Sequence, residues 1–558
     1  MNFKEIGKLL NKKAFPHKVK YLKLRETYIS WLVFTGNFVY KIKKPVKFSY
    51  LDFSSLAKRK FFLEEELRLN KRLSPEIYLD VAPIVDRGGK FKILESSDSL
   101  PQKGQKIIEQ VFNSEKSSFR SEIFQISKQR IRIKEYALKM REIPEKYYAP
   151  ELLKKGKLRK NSVKKIAKIA ADFHKLSQTS PEINKYGAIK IIKKNCEENF
   201  KQTNPFLGRV LNETVYKFIV GETRNFIKEN KGLFLKRQRE EKIRDCHGDL
   251  YTENIFIAPQ KIYIIDCIEF NKRFRYQDVA SDAAFLAMDF DYLGKPDFSK
   301  YFIAQYNAEF NDKDLFKILP FYECYRAYVR AKVGCFSLPK PNSKPDVKLR
   351  QRRVLEIQKY FSLAFKYARE FSNRKPFLLI ICGQIGTGKT FLAEYLAKIT
   401  GAKLLRSDIV RKEMLGIPLY EHRKKGLEKI YSRNVTRKVY KKIIADSLRL
   451  LKTNNSVVLD ATFAGEFSRK MAIRATEKEK IPYFFVECRA PDDKIIERLK
   501  ERRKKKEISD ATLNIYLQKR DEFDKIKLPR ERYLSVNREK GDVAQDANKV
   551  LKKVLNYA

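Results

Sequence analysis

The chain has 558 residues, of which 43% are apolar and 12% aromatic, so it can fill more than one hydrophobic core and is not a disordered protein. Its 120 lysines and arginines exceed its 68 aspartates and glutamates, which gives a net charge of +52. This excess suits anionic partners, but it is spread along the whole chain, which favours a general lysine bias over a dedicated nucleic-acid-binding tail.

The first 370 residues predict a small sheet-rich lobe followed by a larger helical one. Residues 27–46 are rich in aromatic and β-branched types and predict two strands joined at Thr35-Gly36-Asn37. A helix is expected from about Ser55 to Leu73, then strands near VAPIVD, FKILES and 131–140. From about Ser162 the pattern is mostly helical, interrupted by a strand, turn and strand near 245–268.

A second domain is predicted to begin near residue 373. A loop rich in proline at 337–345 precedes a long helix over about 348–370, and 372–376 then break the chain. Four apolar segments follow, FLLIIC, KLLRSD, SVVLD and PYFFVEC, and a helical stretch comes after each. This alternation predicts an α/β domain with a parallel sheet. The expected domains are therefore 1–372 and 373–558.

The clearest motif is a phosphate-binding loop that directly follows the strand FLLIIC. It matches G-x-x-x-x-G-K-[ST] in full and consists of Gly383, Gln384, Ile385, Gly386, Thr387, Gly388, Lys389 and Thr390. Glycines let backbone N–H groups surround phosphates, and the following helix adds its positive end. Lys389 is expected to reach the β- and γ-phosphates of ATP, and the Thr390 hydroxyl to bind Mg²⁺.

Two carboxylates follow strands of the same domain. Asp460 ends SVVLD, where a Walker-B-type acid holds magnesium. Asp408 follows KLLRS, and with Arg411 it lies on one face of a helical turn. Asp408 can take the proton of an acceptor hydroxyl while Arg411 holds an anionic substrate. The alternative is that Ser407 or Asp408 only caps the helix.

A later helix carries Arg498, Arg502 and Arg503 on one face. Arginines in a closing lid stabilise the charge of a transferring phosphoryl group, so Arg498 and Arg502 are candidate nucleotide-binding residues. The alternative is an ordinary solvated helix in a basic protein. The basic run at 502–506 is likewise interpreted as a solvated face rather than an RNA groove.

These motifs together resemble the small P-loop kinases of the AAA_33 type. The resemblance rests on the phosphate loop and on S-D-I-V-R-K at 407–412, L-D-A-T-F at 459–463 and C-R-A-P at 488–491, and it covers about 371–540. It implies phosphate transfer to a hydroxyl group, with Asp408 as the base.

A second constellation lies in the N-terminal domain. The stretch H-G-D-L-Y-T-E-N at 247–254 is typical of a kinase catalytic loop, in which Asp249 would deprotonate the acceptor hydroxyl. Asn254 and Asp266, which ends the strand KIYIID, would hold metal ions. Upstream, Lys41 in FVYKIK would pair with phosphates. Glu66 in the next helix is the expected partner of Lys41, with Glu64 and Glu65 as rivals.

This order of residues resembles the aminoglycoside phosphotransferase family over about 20–370, and the order of the two modules resembles fused proteins that join it to an AAA_33 kinase. The resemblance implies an α+β protein-kinase-like fold. A glycine-rich loop over the phosphates is missing, since Gly7 and Gly36 are the only glycines before Gly88. Asp278 and Asp282 are interpreted as structural residues that tie loops to the helical lobe.

The resulting prediction is a cytoplasmic kinase with two catalytic domains, which uses ATP and Mg²⁺ to phosphorylate small molecules. Seven cysteines without a C-x-x-C pair and four histidines argue against a zinc site, and no membrane-spanning segment is expected. One alternative is a P-loop kinase or ATPase with an inert kinase-like binding module. Another is a nucleic-acid end kinase. The acceptor and the oligomeric state are left open.

Overall fold

The computed structural model describes residues 1–48, 50–95, 124–126, 129–339, 346–421, 430–502, 512–539 and 542–557. The strands are β1 (Lys23–Glu26), β2 (Ser30–Phe34), β3 (Phe38–Lys43), β4 (Lys47–Phe48), β5 (Leu51–Asp52), β6 (Tyr78–Arg87), β7 (Lys90–Ile93), β8 (Phe124–Ile126), β9 (Gln129–Arg141), β10 (Ile243–Asp245), β11 (Ile255–Ile257), β12 (Ile262–Ile264), β13 (Tyr276–Asp278), β14 (Leu378–Cys382), β15 (Lys403–Arg406), β16 (Val457–Asp460), β17 (Tyr483–Arg489) and β18 (Tyr533–Asn537).

The helices are α1 (Phe3–Leu9), α2 (Leu56–Asn70), α3 (Ala149–Lys154), α4 (Lys160–Leu176), α5 (Pro181–Asn184), α6 (Ile189–Thr203), α7 (Glu213–Glu229), α8 (Lys231–Arg239), α9 (Lys272–Arg275), α10 (Val279–Tyr292), α11 (Pro296–Phe310), α12 (Leu315–Phe336), α13 (Val347–Phe371), α14 (Lys389–Thr400), α15 (Ser407–Met414), α16 (Arg433–Lys452), α17 (Glu466–Lys478), α18 (Asp492–Arg502), α19 (Leu513–Lys519) and α20 (Val543–Tyr557). Within the described ranges, none of these helices has the length and apolarity that crossing a membrane requires.

The chain divides into two compact units. The first comprises Met1–Ala188 with Phe234–Lys313, and the second comprises Ile189–Leu233 with Asp314–Ala558. The second unit thus holds helices α6, α7, α12 and α13 in addition to the P-loop fold that begins at β14. The domain limit near residue 373 marks the start of that fold in the sequence, and as a limit between independent domains it stays a prediction.

The first unit contains an antiparallel sheet in the order β1-β2-β3-β9-β6-β7, with β8 paired to β9. As expected, β2 and β3 form a hairpin around Gly36, and the predicted helix after them is α2, capped by Ser55. Side chains alternate along β3, because successive residues of a strand point to opposite faces. Tyr40 and Ile42 enter one core, whereas Val39 packs with Leu63 of α2 in another.

The remainder of the first unit is mostly helical. The short hairpin β11–β12 follows the H-G-D loop and ends just before Asp266, and β10 pairs with β13 ahead of the buried helix α10. A twisted antiparallel sheet with one helix on its face, followed by a helical lobe with a catalytic-type loop, is the predicted α+β protein-kinase-like fold. This prediction is confirmed.

The second unit contains a parallel sheet in the order β15-β16-β14-β17-β18. Strands β14, β16 and β17 are nearly continuous runs of buried apolar residues, as expected where helices cover both faces of a sheet. The predicted α/β P-loop NTPase fold is confirmed, and four of its five strands were expected. Strand β18 was missed, because as an edge strand it carries fewer buried residues.

Candidate functional site

The phosphate loop connects β14 to α14, and its glycines are required by its close packing. Gly383 has a φ of 127°, and a Cβ atom there would lie 2.3 Å from the backbone oxygen of Cys488. A Cβ atom on Gly386 would lie 2.8 Å from the Ile495 side chain. Any other residue at Gly383 would have to push the backbone of β17 away, so the loop conformation needs glycine. The sequence-predicted context of strand, glycine loop and helix is therefore present.

Lys389, Thr390 and Asp460 lie together at the start of α14. The Thr390 hydroxyl donates to Oδ2 of Asp460 at 2.7 Å, and the Lys389 ammonium donates to the Gln384 carbonyl at 2.6 Å. Burial lowers the pKa of Lys389, and burial also raises the pKa of Asp460. Both shifts disfavour the charged form, so a ligand that brings phosphate to Lys389 and a divalent cation to Asp460 would stabilise the ionised groups.

Asp408 and Arg411 occupy the first turns of α15, as predicted, and they face the same cavity. The helix begins at Ser407 after Arg406, and no side chain caps it, so the capping role considered for Ser407 and Asp408 is not seen. Among the described residues, the half-buried Asp408 carboxylate makes no hydrogen bond or ion pair. Arg411 is buried and donates to Ile430 O at 3.0 Å and to Thr436 Oγ1 at 3.2 Å.

A cavity of about 1080 Å³ connects these groups. The phosphate-loop residues that line it are Gln384, Ile385, Gly386, Gly388, Lys389 and Thr390, and it also contacts Asp408, Arg411, Asp460 and Arg498. Thr387 is buried and donates to Gln384 O, which supports the loop. The volume slightly exceeds the roughly 300–1,000 Å³ of pockets that hold drug-sized ligands, which is enough for a nucleotide and a small acceptor.

Two arginines approach the phosphate loop, Arg498 from α18 and Arg538 from the end of the edge strand β18. Arg498 donates to the Arg538 carbonyl at 2.6 Å, and its Nη1 lies 3.9 Å from a Cβ position built on Gly388. Nε of Arg538 lies 3.5 Å from that position. Both nitrogens are buried and have no hydrogen-bond partner within the described ranges. The side chain of Arg502 and all of Arg503 lie outside the described residues.

Arg538 was not recognised in the sequence. It directly follows β18, the strand that was missed, and its guanidinium forms an ion pair with Asp546 of α20. The signal available was the strand pattern YLSVN, whose carboxyl end lies beside the ligand edge of a parallel sheet.

In the first unit, Lys41 pairs with Glu66, as expected, and it also contacts Asp266. The Lys41 ammonium donates to Glu66 Oε1 and to Asp266 Oδ1, both at 2.6 Å. Burial opposes its charge, but the two carboxylates outweigh this and raise the pKa of Lys41 well above its usual value. Partial desolvation would raise the pKa of Asp266, yet the Lys41 charge prevails and lowers it. The rivals pair elsewhere: Glu64 with Lys60 and Glu65 with Arg68.

A second lysine, which was not predicted from the sequence, also pairs with Glu66. Lys43 lies two residues after Lys41, on the same face of β3, and it is completely buried. Its ammonium donates to Glu66 Oε2 at 2.8 Å and to Glu269 Oε1 at 2.5 Å. Burial raises the pKa of Glu269, although Lys43 opposes the shift. The period of two along FVYKIK was the available signal.

The catalytic-type loop is held by a buried acid. Asp282 accepts hydrogen bonds from the backbone N–H groups of His247 at 2.8 Å and Gly248 at 3.0 Å. Burial lowers the pKa of His247 to about 4, so its ring is neutral. Because Nδ1 of His247 accepts from the Asp249 N–H at 3.2 Å, Nε2 carries the proton and donates to Ile265 O at 3.0 Å. The structural role expected of Asp282 is thus observed.

Asp249 and Asn254 are adjacent within this loop. The Asn254 amide donates to the Asp249 carbonyl at 2.9 Å and to its carboxylate at 3.2 Å. The amide oxygen of Asn254 and the carboxylate of Asp266, whose side chain is 46% exposed, are hard oxygen ligands. Asp266 has a φ of 66°, the left-handed conformation that turns its side chain at the end of β12.

Both donor sets fit magnesium. In the second unit Thr390 and Asp460 offer oxygen atoms beside the phosphate loop, and in the first unit Asn254 and Asp266 do so beside Lys41. Magnesium favours one or two protein oxygens together with substrate phosphates and water. The catalytic, nucleotide-binding and metal-binding roles of these residues stay predictions.

The C-terminal region of the chain is similar to a known protein family. A family model described as an AAA domain, AAA_33, matches residues 378–526. The resemblance stated from the motifs is confirmed for this region. The matched range ends before β18, so it does not include Arg538.

Relatives over most of the chain come from mycobacteria. An uncharacterized protein of Mycobacterium tuberculosis is 27% identical over 482 residues, which are 86% of this chain and 86% of its own. A protein of Mycobacterium bovis gives the same values. Among solved structures, a choline/ethanolamine kinase family protein from Mesorhizobium loti is 12% identical, covering 66% of this chain and 99% of its own, with a TM-score of 0.36. A putative kinase from Chloroflexus aurantiacus is 20% identical, covering 33% and 99%, with a TM-score of 0.27.

Proposed function

With an AAA_33 match over residues 378–526 as the premise, we propose that the chain is an ATP-dependent kinase that transfers the γ-phosphoryl group to a small-molecule hydroxyl. One observation carries the proposal: Lys389 and Thr390 of the phosphate loop, Asp460 and Asp408, whose carboxylate pairs with no described residue, line a single cavity. Donor-phosphate groups and a base are thereby brought within one ligand-sized space, as a phosphotransferase requires.

Each residue in this cavity has a distinct task. Lys389 and the loop N–H groups hold the donor phosphates, and Thr390 and Asp460 hold Mg²⁺, which when bound neutralises charge on those phosphates. Asp408 accepts the proton of the acceptor hydroxyl while the hydroxyl oxygen forms its bond to the γ-phosphorus. The bond from the γ-phosphorus to the β–γ bridging oxygen breaks, and ADP leaves with those electrons.

The kinase-like site of the first unit is proposed to perform the same class of reaction. Asp249 is the base, Asn254 and Asp266 hold metal, and Lys41, held by Glu66, orients the donor phosphates. Its support is the meeting of Lys41, Glu66 and Asp266, which lie far apart in the sequence.

An inert kinase-like module is the second candidate for this unit. The turn between β1 and β2, residues 27–29, holds no glycine, and the Lys44 ammonium donates to the carbonyl of Thr27 within it at 2.5 Å. In kinases a glycine-rich loop covers the phosphates at this place. An inert unit need not bind Mg-ATP, so nucleotide binding separates the two candidates.

The test is transfer of γ-labelled phosphate from Mg-ATP into a metabolite and RNA extract. Wild type is compared with Asp408→Asn, Lys389→Ala and Asp249→Asn. We expect one labelled product to be lost with Asp408→Asn and Lys389→Ala, by about 10²–10⁴-fold for removal of the base. A different product lost only with Asp249→Asn would support a second kinase site. Release of free phosphate alone, lost only with Lys389→Ala, would contradict the proposal and indicate an ATPase.

Equilibrium dialysis of Mg-ATP against the full chain carrying Lys389→Ala then tests the first unit. One remaining site that is lost with the further change Asp266→Asn supports a nucleotide-binding kinase-like site. No remaining site supports the inert module. Transfer into RNA with an affinity that falls steeply with salt would instead favour the nucleic-acid end kinase.

A further inference from the structure

The part of the P-loop cavity that faces away from the phosphate loop is formed by two helix starts. Ser407, Asp408 and Arg411 come from α15, and the first two turns of α16 contribute Arg433, Thr436, Arg437 and Tyr440. The α16 residues recur at intervals of three and four, so they share one face of the helix. We name these seven residues the acceptor wall.

Arg411 is the unusual member of the acceptor wall. Its residue is only 6% exposed, its Nε has no hydrogen-bond partner in the described part of the chain, and no carboxylate there forms an ion pair with it. Its guanidinium lies over the Tyr431 ring at 4.7 Å. The ring and the two bonds from Nη1 hold the guanidinium plane in one orientation, and leave Nε without a partner.

Four other buried arginines in the described part of the chain have protein partners that compensate their charge. Arg59 pairs with Glu135, Arg237 with Asp278 and Arg275 with Asp245. Arg369 has no such carboxylate partner among the described residues, but it donates to three protein oxygens, those of Ser456, Arg374 and Lys375. Since an uncompensated buried charge is costly, the cavity-facing Arg411 stands out as a guanidinium whose anion comes from a ligand.

The neighbouring arginines point to the same chemistry. Arg437 lies over the Phe467 ring at 5.0 Å, and this ring is 57% exposed at the cavity. Arg433 and Arg437 form no ion pair with any residue that the structure describes. The N-terminus of the twenty-residue helix α16 adds its positive end to this wall. The only carboxylate of the acceptor wall is Asp408, the proposed base.

We infer that the hydroxyl acceptor of the P-loop site carries an oxyanion, a phosphate or a carboxylate, which the Arg411 guanidinium binds with support from Arg437. This inference rests on the proposed function and names its substrate class. A guanidinium offers two parallel N–H groups that match the oxygens of a phosphate or carboxylate. The three arginines of the acceptor wall also disfavour an amine beside Arg411. Asp408 and Arg411 line the cavity one helical turn apart. Asp408 would contact the hydroxyl of the acceptor, and Arg411 its anionic group.

Two substitutions probe the binding of the anion. Arg411→Lys keeps the charge but loses the planar pair of donors. Arg437→Gln removes an exposed charge whose contact in the described structure is with the Phe467 ring. We expect the KM for the acceptor to rise about 10–100-fold with Arg411→Lys and by a smaller factor with Arg437→Gln, with little change in the KM for Mg-ATP. The matched control is Arg474→Gln, an exposed arginine of α17 that does not line the cavity. Unchanged acceptor KM in both wall variants would overturn the inference.

The acceptor class itself is tested with the full chain carrying Asp249→Asn, so that only the P-loop site transfers label. A metabolite extract is separated by ion exchange into cationic, neutral and anionic small molecules, with polynucleotides as a fourth fraction. Each fraction is incubated with γ-labelled Mg-ATP. We expect label in the anionic fraction; loss of that label after phosphatase pretreatment identifies a phosphate, and its retention identifies a carboxylate.

The other outcomes are decisive in different ways. Label in the neutral or cationic fraction, or in polynucleotides, overturns the anionic small-molecule acceptor and leaves a kinase in place. Label in no fraction, with Mg-ATP still bound, removes the proposed kinase activity of this site and the inference with it.

Discussion

Glu66 pairs with two lysines at once, Lys41 and the buried Lys43, so replacing it by glutamine should destabilise the first unit more than the same change at a neighbouring glutamate. The Glu66 carboxylate accepts from Lys41 at 2.6 Å and from Lys43 at 2.8 Å, and its side chain and that of Lys43 are completely buried. Breaking a buried ion pair from one side costs about 3–5 kcal/mol when the remaining charge has no other partner. Here Lys41 keeps Asp266 and Lys43 keeps Glu269, so we expect about 2–3 kcal/mol for Glu66→Gln.

The matched control is Glu65→Gln, one residue away on the same helix. Glu65 pairs with Arg68 across one turn at the surface, with side chains that are 26% and 54% exposed. An exposed pair of this kind contributes about 0–1 kcal/mol. The two variants remove the same charge from the same helix, so net charge and helix propensity cancel in the comparison.

Trp31 provides the assay, because it is the only tryptophan of the chain and lies in β2. It is buried next to β3, the strand that carries Lys41 and Lys43. Thermal unfolding followed by its fluorescence therefore reports the N-terminal unit alone. For a domain of this size we expect the midpoint to fall by about 5–10 °C with Glu66→Gln and by no more than about 3 °C with Glu65→Gln. Equal midpoints for the two variants would refute the stabilising role of the two-lysine network.

Three further substitutions test the P-loop unit. Gly383→Ala places a Cβ 2.3 Å from a backbone oxygen and should abolish Mg-ATP binding in dialysis. The control is Gly221→Ala, whose Cβ meets open space within α7; it should leave Mg-ATP binding unchanged and should not lower the melting temperature. Arg538→Gln should raise the KM for Mg-ATP about tenfold through loss of a charged donor beside the phosphate loop; Asp546→Asn, which removes only its ion-pair partner, should raise it less, and the reverse order would contradict a nucleotide contact. Thr390→Val should shift the Mg²⁺ dependence of turnover upward and lower its maximum about 100-fold, while Thr390→Ser restores it; failure of serine to rescue would argue against a hydroxyl ligand.

Motif order predicted the main elements of both sites, because each motif residue has a local signature. A strand before a glycine loop and a helix after it predicted the environment of Lys389, and an acid at a strand end predicted Asp460. Similarly, the small sheet lobe before the helical lobe predicted that Lys41 would pair with Glu66, whereas the ion pair of Lys41 with Asp266 was not expected. Glu66 was separated from Glu64 and Glu65 only by its helical face, and the structure shows that face turned toward β3.

Residues that act through distant partners carried no such signature. Nothing in the sequence joins Lys43 to Glu269, which is 226 positions away. Arg538 is recognisable only once β18 is known to lie at the sheet edge next to the phosphate loop. Conversely, Ser407 and Asp408 had the local signature of helix caps, yet α15 begins without a capping side chain. Local sequence preference predicts helix capping poorly where a residue follows a strand and faces a cavity, because the tertiary position of the residue then decides its contacts.

The two sites differ in whether their carboxylates form ion pairs with lysines or arginines, and this difference bears on whether both sites are active. In the P-loop site the Asp408 carboxylate forms no ion pair with any residue that the structure describes, so it is available to a hydroxyl. In the N-terminal site Lys41 is shared between Glu66 and Asp266. Binding Mg-ATP there would replace the Lys41–Asp266 pair by a Lys41–phosphate pair and an Asp266–magnesium pair, so both side chains would keep a partner of opposite charge. Since Lys43 already anchors Glu66 and Glu269, that exchange leaves α2 in place, so the pairing seen at Lys41 is compatible with a competent kinase site and is no argument for an inert one.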